Sequence, residues 1–373
     1  MKQISMIGLL VLIVMQSGAL HSQEFPEIRV ETLPEYNDLI YNESGWTGAD
    51  GSFSVALNDS LTLWLYSDTW IGGIADGKHV NATIVNNSIA IQHGKNPGTA
   101  TIDYHWGADA EGRPAAFITP TDGLGYFWLF DGLMLDDSLY FFPLQITHRK
   151  GSGAFGFNHV GSWLAVVGNP ADPPQEWRIA QRKIPFGSFS ENGNTFLGSA
   201  LLRVGNDVYI YGCHEDWTKG RSGRRMIVAR APAKKISHFD SWEFYSQQGW
   251  MKDFQRIEPL FDELASEYSV SFVAAINKFV VVYSQYGLSD KIHIRLADTP
   301  VGPWSEPRQV YVCPEGDWHR SYFCYAAKAH PELSVTGDEL ILTYVCNSWD
   351  FWQLASDARI YWPRFLRMRL IPH

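Results

Sequence analysis

The stretch GSFSVALNDSLTLWLYSD, residues 51–68, has the pattern of a β-hairpin. An apolar strand leads into a polar turn at residues 58–60, and a second strand rich in aromatic and β-branched residues follows. The pattern returns about every 70 residues, in YFWLFDGLMLDDSLYFFPLQI (126–146), GSALLRVGNDVYIYGCHE (198–215), YSVSFVAAINKFVVVYSQY (268–286) and KAHPELSVTGDELILTYVCN (328–347). A hairpin that recurs at this spacing indicates one structural unit repeated five times.

Further strand-like runs fall between the hairpins, so each repeat has room for a four-stranded antiparallel sheet. Five such units predict an all-β fold, a five-bladed β-propeller forming one domain over residues 23–373. Its inner strands are expected at residues 51–57, 127–135, 199–204, 268–275 and 328–335, around one axis. A pair of packed sheets or an irregular barrel is the alternative, although a sandwich does not need the recurring hairpin. The only fair helical candidate is residues 261–267.

The first 22 residues are predicted to be a signal peptide. Lys2 precedes the eleven-residue apolar run ISMIGLLVLIV (4–14), which is too short to cross a bilayer, and small residues allow cleavage after Ala19 or Ser22. A buried N-terminal strand is the alternative. No later segment resembles a transmembrane helix, so we expect a secreted protein, periplasmic or extracellular, without a membrane span.

Composition narrows the class of partner. Hydrophobic residues at 45% argue against disorder, and a net charge of −10 argues against nucleic-acid binding. Aromatic residues at 14% indicate an aromatic core or aromatic faces offered to a ligand. Four cysteines allow three disulfide pairings, and isolated buried thiols are equally consistent with their spacing. Without a CxxC or a zinc-type Cys–His spacing, a thiolate metal site is not expected. We expect no metal and no cofactor, with a channel-bound Ca²⁺ as an alternative that nothing in the sequence supports.

Candidate site residues follow from the hairpin geometry. In a propeller the start of the first strand and the end of the second lie on the same rim, so the first hairpin places Asp50 opposite Asp68. Two like charges there would destabilise an ordinary hairpin, which suggests a ligand, a counter-charge or a shared proton. The same construction places further residues at the channel mouth: Trp128 and Asp131, His214 and Glu215, Glu267 and Tyr286, and Lys328, His330 and Asn347.

Three segments resemble a known family: TGADGSFSVALNDSLTLWLYSDTWIGG (47–73), SEYSVSFVAAINKFVVVYSQY (266–286) with IRLADTPVGPWSEP (294–307), and AAKAHPELSVTGDELILTYVCN (326–347) with IYWPRFLRMRL (360–370). They are similar to an uncharacterised bacterial five-bladed-propeller domain family that includes endo-D-arabinanases, distantly similar to the arabinanase and fructan-hydrolase propellers. The resemblance implies glycoside hydrolase ancestry. SDTW (67–70) stands where the family pattern has Gly-Asp-Thr, a departure beside Asp68.

The sequence therefore predicts a secreted glycoside hydrolase, monomeric, acting on a polysaccharide or oligosaccharide that contains furanose or related sugars. We assign Asp50 as nucleophile or general base, Glu267 as general acid and Asp68 as a residue that tunes a pKa or anchors substrate. Each has a structural alternative: Asp50 shaping a turn, Asp68 capping a loop, and Glu267 a solvated acid. A non-catalytic glycan-binding propeller and a glycan lyase are the rival functions.

Overall fold

The structure, a computed structural model, describes residues 25–149 and 156–372, and the predicted signal peptide lies outside them. Strand is the main secondary structure of the described chain. In its first half the strands are β1 (Glu27–Thr32), β2 (Ser44–Ala49), β3 (Phe53–Ala56), β4 (Leu61–Tyr66), β5 (Thr69–Ala75), β6 (Lys78–Val85), β7 (Ser88–His93), β8 (Thr101–His105), β9 (Gly107–Ala108), β10 (Pro114–Ala115), β11 (Tyr126–Leu135), β12 (Ser138–His148), β13 (Phe157–Val167) and β14 (Ile179–Lys183). The second half contains β15 (Ser188–Ser190), β16 (Gly193–Val204), β17 (Asp207–Glu215), β18 (Arg224–Pro232), β19 (Glu243–Ser246), β20 (Gly249–Met251), β21 (Tyr268–Val273), β22 (Lys278–Ser284), β23 (Lys291–Ala297), β24 (Arg308–Val312), β25 (Tyr322–His330), β26 (Glu339–Ser348) and β27 (Arg364–Ile371).

Of the seven sheets in the described chain, the five that contain four or more strands are antiparallel and follow one another along the chain. Sheet one is β3-β4-β7-β8, sheet two β11 to β14, sheet three β15 to β20, sheet four β21 to β24, and sheet five β25-β26-β27-β1. The strands β3, β11, β16, β21 and β25 overlap the five predicted inner strands. They contact one another in chain order, and β25 also contacts β3. The predicted all-β class is confirmed, with the first hairpin strands of the five sheets gathered together.

Neighbouring sheets pack face to face through apolar side chains. The strands are therefore buried on both sides. Each junction between successive sheets has its own core cluster, and the cluster between sheets five and one joins Phe365 to Trp64 and Tyr66. The other four junctions are represented by Leu63 with Phe127, Phe142 with Trp242, Tyr211 with Tyr283, and Ile294 with Leu342. Much of the aromatic content is therefore core, as the pattern of alternation allows.

The two ends of the described chain meet in sheet five. Strand β1 pairs antiparallel with β27, from Glu27 opposite Ile371 to Thr32 opposite Leu366. β1 is thus the outermost strand of a sheet whose other three strands come from residues 322–371. Hydrogen bonds across this ladder join sheet five to the segment that precedes sheet one.

Helices are few and short in the described residues. The α-helices are α1 (Pro34–Ile40) and α2 (Phe351–Ser356), and short 3₁₀ segments occur at Pro174–Glu176, Trp217–Gly223, Ala233–Lys235, Phe239–Ser241, Phe254–Arg256, Ala274–Ile276, Pro314–Asp317 and Pro331–Leu333. The helix expected at residues 261–267 is wrong. Leu260 and Leu264 instead donate backbone hydrogen bonds to Met226 and Arg224, and Glu263 adopts a left-handed φ of 62°, which a helix does not allow.

Two of the four cysteines form a disulfide, and the other two are buried thiols. Cys324 and Cys346 face each other across β25 and β26 and form a disulfide, whereas Cys213 and Cys313 are buried thiols. Within the described ranges, no helix is both long and apolar enough to cross a membrane.

Candidate active site

A cavity of about 1450 Å³ opens beside the starts of the inner strands. The three acids predicted to be catalytic, Asp50, Asp68 and Glu267, line it together, although they come from sheets one and four. Its aromatic lining consists of Tyr126, Trp128, Phe130, Phe157, Phe189, Trp217, Phe323, Tyr325, Phe351 and Tyr361. The cavity thus combines carboxyl groups with broad ring faces.

The hairpin register brings Asp50 and Asp68 to the cavity. Phe53 pairs with Leu65, the register that the sequence predicts, and the backbone N–H of Asp50 donates to the carbonyl of Asp68 over 3.1 Å. Gly51 has a φ of 79°, and a Cβ there would lie 3.0 Å from the backbone nitrogen of Ser67. Glycine at this position therefore lets the chain turn sharply between Asp50 and β3.

Asp50 is held by two tyrosines. Its Oδ2 accepts hydrogen bonds from the hydroxyls of Tyr325 at 2.7 Å and Tyr361 at 3.0 Å, while its buried Oδ1 has no partner among the described residues. Burial raises the pKa of Asp50 to about 6, against the two tyrosine hydrogen bonds and the charge of Lys328, which lower it. One oxygen is therefore fixed and the other remains available for a ligand.

Asp68 binds the indole of Trp128. The Nε1 of Trp128 donates to Oδ1 of Asp68 over 3.0 Å, and the side-chain amide of Asn86 donates to the same oxygen over 3.3 Å. Burial, and then the negative charge of Asp50, raise the pKa of Asp68 to about 7. The charge of the nearby Asp50 carboxylate thus helps to make the pKa of Asp68 higher than that of Asp50.

Glu267 faces a buried cation. The Nζ of Lys328 lies 3.7 Å from Oε1 of Glu267, and the lysine side chain is only 1% exposed. The same ammonium donates to the carbonyls of Gly51 and Ala326, and it lies 4.4 Å from the ring centre of Phe53. Burial raises the pKa of Glu267 to about 7, opposed by Lys328 and reinforced by Asp50. Burial lowers the pKa of Lys328 itself, opposed by the carboxylates.

A second polar group lines the cavity on sheets two and three. Glu215 is buried and accepts hydrogen bonds from Asn194 at 2.9 Å and from Arg224 at 3.0 Å. Asn194 also lies 3.2 Å from Nδ1 of His159, whose pKa is lowered by burial. The guanidinium of Arg224 stacks on Trp217 at 5.0 Å. This group offers several hydrogen-bonding atoms beside the carboxyl groups.

The other sequence-predicted residues divide between the cavity and its surroundings. Trp128, Glu215 and Asn347 line the cavity, whereas His214 and Tyr286 do not. His214 is bonded to Thr195, and the hydroxyl of Tyr286 donates to Glu263.

Asp131 and His330 lie deeper along the inner strands. Asp131 lines a separate cavity of about 270 Å³, where its two oxygens accept backbone N–H bonds from Gly132 and Leu201. His330 is fully buried between Ser54 at 2.5 Å and Thr343 at 2.7 Å. Both residues have their hydrogen bonds within the protein and support the inner strands.

Sequence reasoning missed several cavity residues. Tyr325 precedes a left-handed residue at Ala326, where the register of β25 against β26 shifts before Lys328, and Tyr361 has a φ of 69° outside any strand. Regular alternation cannot place such side chains. Asn86, His159, Asn194 and Arg224 carry no spacing signal that separates them from other polar residues.

One group of potential metal ligands occurs in the described part of the chain, made of Glu315, Cys324 and Cys346. Its two cysteines are joined in the disulfide. Only one carboxylate of the group is left to bind an ion, so the donor set does not suit a metal.

At least one solved structure shares the fold of this chain. A crystal structure of a "putative hydrolase" from Bacteroides ovatus ATCC 8483 is 19% identical, with 91% of this chain and 90% of that chain covered and a TM-score of 0.69. Two more distant structures are an endo-arabinase from Bacteroides thetaiotaomicron VPI-5482 (12% identity, 89% and 99% covered, TM-score 0.47) and the catalytic domain of an alpha-L-arabinofuranosidase from Coprinopsis cinerea (11%, 89% and 94%, TM-score 0.48).

Comparison with curated protein sequences yields no match. The model of one family, described as "Domain of unknown function (DUF5005)", matches residues 34–370, which is nearly the whole chain. This chain therefore belongs to the DUF5005 family.

Proposed function

We propose that this protein is a glycoside hydrolase built on a five-bladed β-propeller, with the five sheets as blades. One observation carries the proposal: three half-buried carboxyl groups, on Asp50, Asp68 and Glu267, meet at one cavity with pKa values raised towards neutrality. Burying three acids costs free energy, and such perturbed groups cluster where proton transfer is needed.

The arrangement suits acid–base cleavage of a glycosidic bond. That reaction needs one protonated carboxyl to donate to the leaving oxygen and one ionised carboxylate on the other side of the sugar. Asp50, stabilised in its ionised form by two tyrosines and by Lys328, acts as nucleophile or general base through its unpartnered Oδ1. Glu267, with a pKa of about 7, acts as general acid.

Asp68 positions the wall of the site. It orients the Trp128 indole through a hydrogen bond, while burial and the negative charge of Asp50 raise its own pKa. Asp50 must lose its proton and Glu267 must keep its own, so the rate is expected to fall below about pH 6 and above about pH 7.

The lining also favours a sugar. Aromatic faces such as those of Trp128 and Tyr126 suit the apolar faces of sugar rings, while Asn347 and Asn194 offer amides to hydroxyl groups. From the resemblance to the endo-D-arabinanase-containing family we propose a furanose-containing glycan as substrate. The apolar run at residues 4–14 supports export, and we propose that the mature enzyme is a secreted monomer.

A screen of polysaccharides for released reducing ends tests the function. Wild-type protein is expected to release reducing sugars from at least one furanose-containing polysaccharide, such as arabinan or levan, whereas Asp50→Asn releases almost none. Binding without product release, unaffected by Asp50→Asn, would instead indicate a glycan-binding propeller. Products that absorb in the ultraviolet would indicate a lyase.

A further inference from the structure

The aromatic wall of the cavity continues onto the outer surface at the end of sheet five. Phe323 and Phe351 line the cavity. Outside it, the ring of Trp349 lies 4.3 Å from that of Phe323 with an interplanar angle of 31°, and the ring of Trp352 lies 5.8 Å from that of Phe351. We call these four residues the aromatic ridge.

The outer half of the ridge is strongly exposed. Trp352 is 77% exposed and Trp349 is 53% exposed, whereas most tryptophans of the described chain are buried or half-buried. Exposing these two indoles, three residues apart in the chain, to water costs free energy that a purely structural role would avoid by burial. Large exposed apolar surface beside a cavity is typical of a surface that binds something.

The indoles are held by an ordered backbone. The backbone N–H of Trp349 donates to the carbonyl of Ser321 over 2.8 Å, and the carboxylate of Asp350 caps α2 by accepting from the N–H of Trp352 over 3.0 Å. The side chain of Gln353 donates to the hydroxyl of Tyr322, which ties α2 to β25. A ligand that stacks on the ridge therefore orders little backbone when it binds.

We propose that the aromatic ridge is a stacking platform for sugar residues that extend beyond the cavity, so that the substrate is a polymeric glycan and not a short oligosaccharide. This inference rests on the proposed function. Two observations commit it to a glycan: the ridge is continuous with the cavity through Phe323 and Phe351, and aromatic faces of this kind suit sugar rings. The cavity, at about 1450 Å³, already exceeds the roughly 300–1000 Å³ of small-ligand pockets.

The test compares polymer with oligomer in ridge variants. Trp352→Ala removes the most exposed ring, Trp352→Tyr keeps an aromatic face, and Phe272→Ala removes a ring that is 47% exposed at the other end of β21 from Glu267. Affinity electrophoresis in gels containing arabinan or levan measures polymer binding. Values of kcat/KM are measured on the same polymer and on the shortest oligosaccharide of it that the wild type cleaves.

We expect Trp352→Ala to weaken polymer binding about fivefold, the loss of one ring contact of about 1 kcal/mol. Its kcat/KM on the short oligosaccharide should stay within about twofold of wild type, and Trp352→Tyr and Phe272→Ala should bind the polymer normally. The proposal is overturned if Trp352→Ala binds the polymer as the wild type does, or if it loses polymer and oligomer activity equally.

The two hypotheses fail in different ways. If the wild type cleaves the polymer and Trp352→Ala binds it as tightly as the wild type does, the ridge proposal is refuted and the hydrolase proposal stands. If the wild type binds the polymer without cleaving it, the hydrolase proposal is refuted. The comparison of polymer binding between wild type and Trp352→Ala still tests the ridge proposal in that case. A wild type that neither binds nor cleaves any of the polysaccharides overturns both.

Discussion

Replacing Lys328 by methionine removes the cation that lies 3.7 Å from the Glu267 carboxyl. At an effective dielectric constant of about 20, a charge pair at this distance interacts by about 4.5 kcal/mol, which is equivalent to an upper limit of about three pKa units. Because Lys328 lowers the pKa values of both Glu267 and Asp50, its loss raises both. Glu267 then keeps its proton to higher pH, and Asp50 loses its proton only at higher pH.

Both limbs of the pH profile of kcat/KM should therefore move upwards in Lys328→Met, by at least about one pH unit. The assay is reducing-sugar release on the cleaved glycan across about pH 4 to 10, a range that covers both limbs before and after the expected shift. Lys328→Arg, which keeps the charge, should leave the limbs nearly in place, and thermal unfolding of each variant checks that it folds.

The matched control is Lys278→Met, which removes a lysine paired with Asp298 far along β22 from the cavity. It should leave the pH profile unchanged. An unchanged profile in folded Lys328→Met, or a shift towards lower pH, would refute the argument that this buried ammonium sets the protonation of the site.

Asp50→Asn and Glu267→Gln should each lower turnover by at least about a hundredfold with thermal unfolding unchanged, whereas Glu263→Gln, outside the cavity, should keep near-normal turnover; full activity in either of the first two would remove that residue from the reaction. Tyr325→Phe removes the 2.7 Å hydrogen bond that lowers the Asp50 pKa, so the acidic limb of kcat/KM should move to higher pH, and an unmoved limb would contradict this role. Asp131→Ala leaves two backbone N–H groups without their acceptor and should lower the free energy of unfolding by about 1–3 kcal/mol in urea titrations; a loss below about 0.5 kcal/mol, the usual range for surface changes, would show that the contacts matter little.

The alternation of apolar residues along the sequence predicted those parts of the fold that depend on residues close to one another in the chain. The hairpin of residues 51–68 specifies its own register, because its turn is short and its apolar residues alternate, so the pairing of Asp50 with Asp68 followed from sequence. Glu267 followed in the same way, since it directly precedes β21.

The remaining site residues depend on irregular backbone and on distant segments. Tyr325 and Lys328 are an odd number of residues apart, so a regular strand would direct them to opposite faces. The register shift between them, with Ala326 at a φ of 60°, changes that relation and lets both serve the carboxyl groups. Tyr361 reaches Asp50 from more than 300 positions away along the chain, which no local pattern encodes.

The pairing of β1 with β27 has a consequence for how the chain folds. β27 is completed only when residue 371 has been synthesised, so β1 waits for its partner while the four intervening sheets form. A contact of such long sequence separation is slow to close. Until it closes, β27 presents to other chains an unpaired edge rich in apolar residues that are buried in the native fold, namely Phe365, Leu366, Met368 and Leu370. Loss of residues 27–32 by proteolysis or truncation would make that edge permanent, leaving the cavity residues intact but the protein prone to edge-to-edge aggregation.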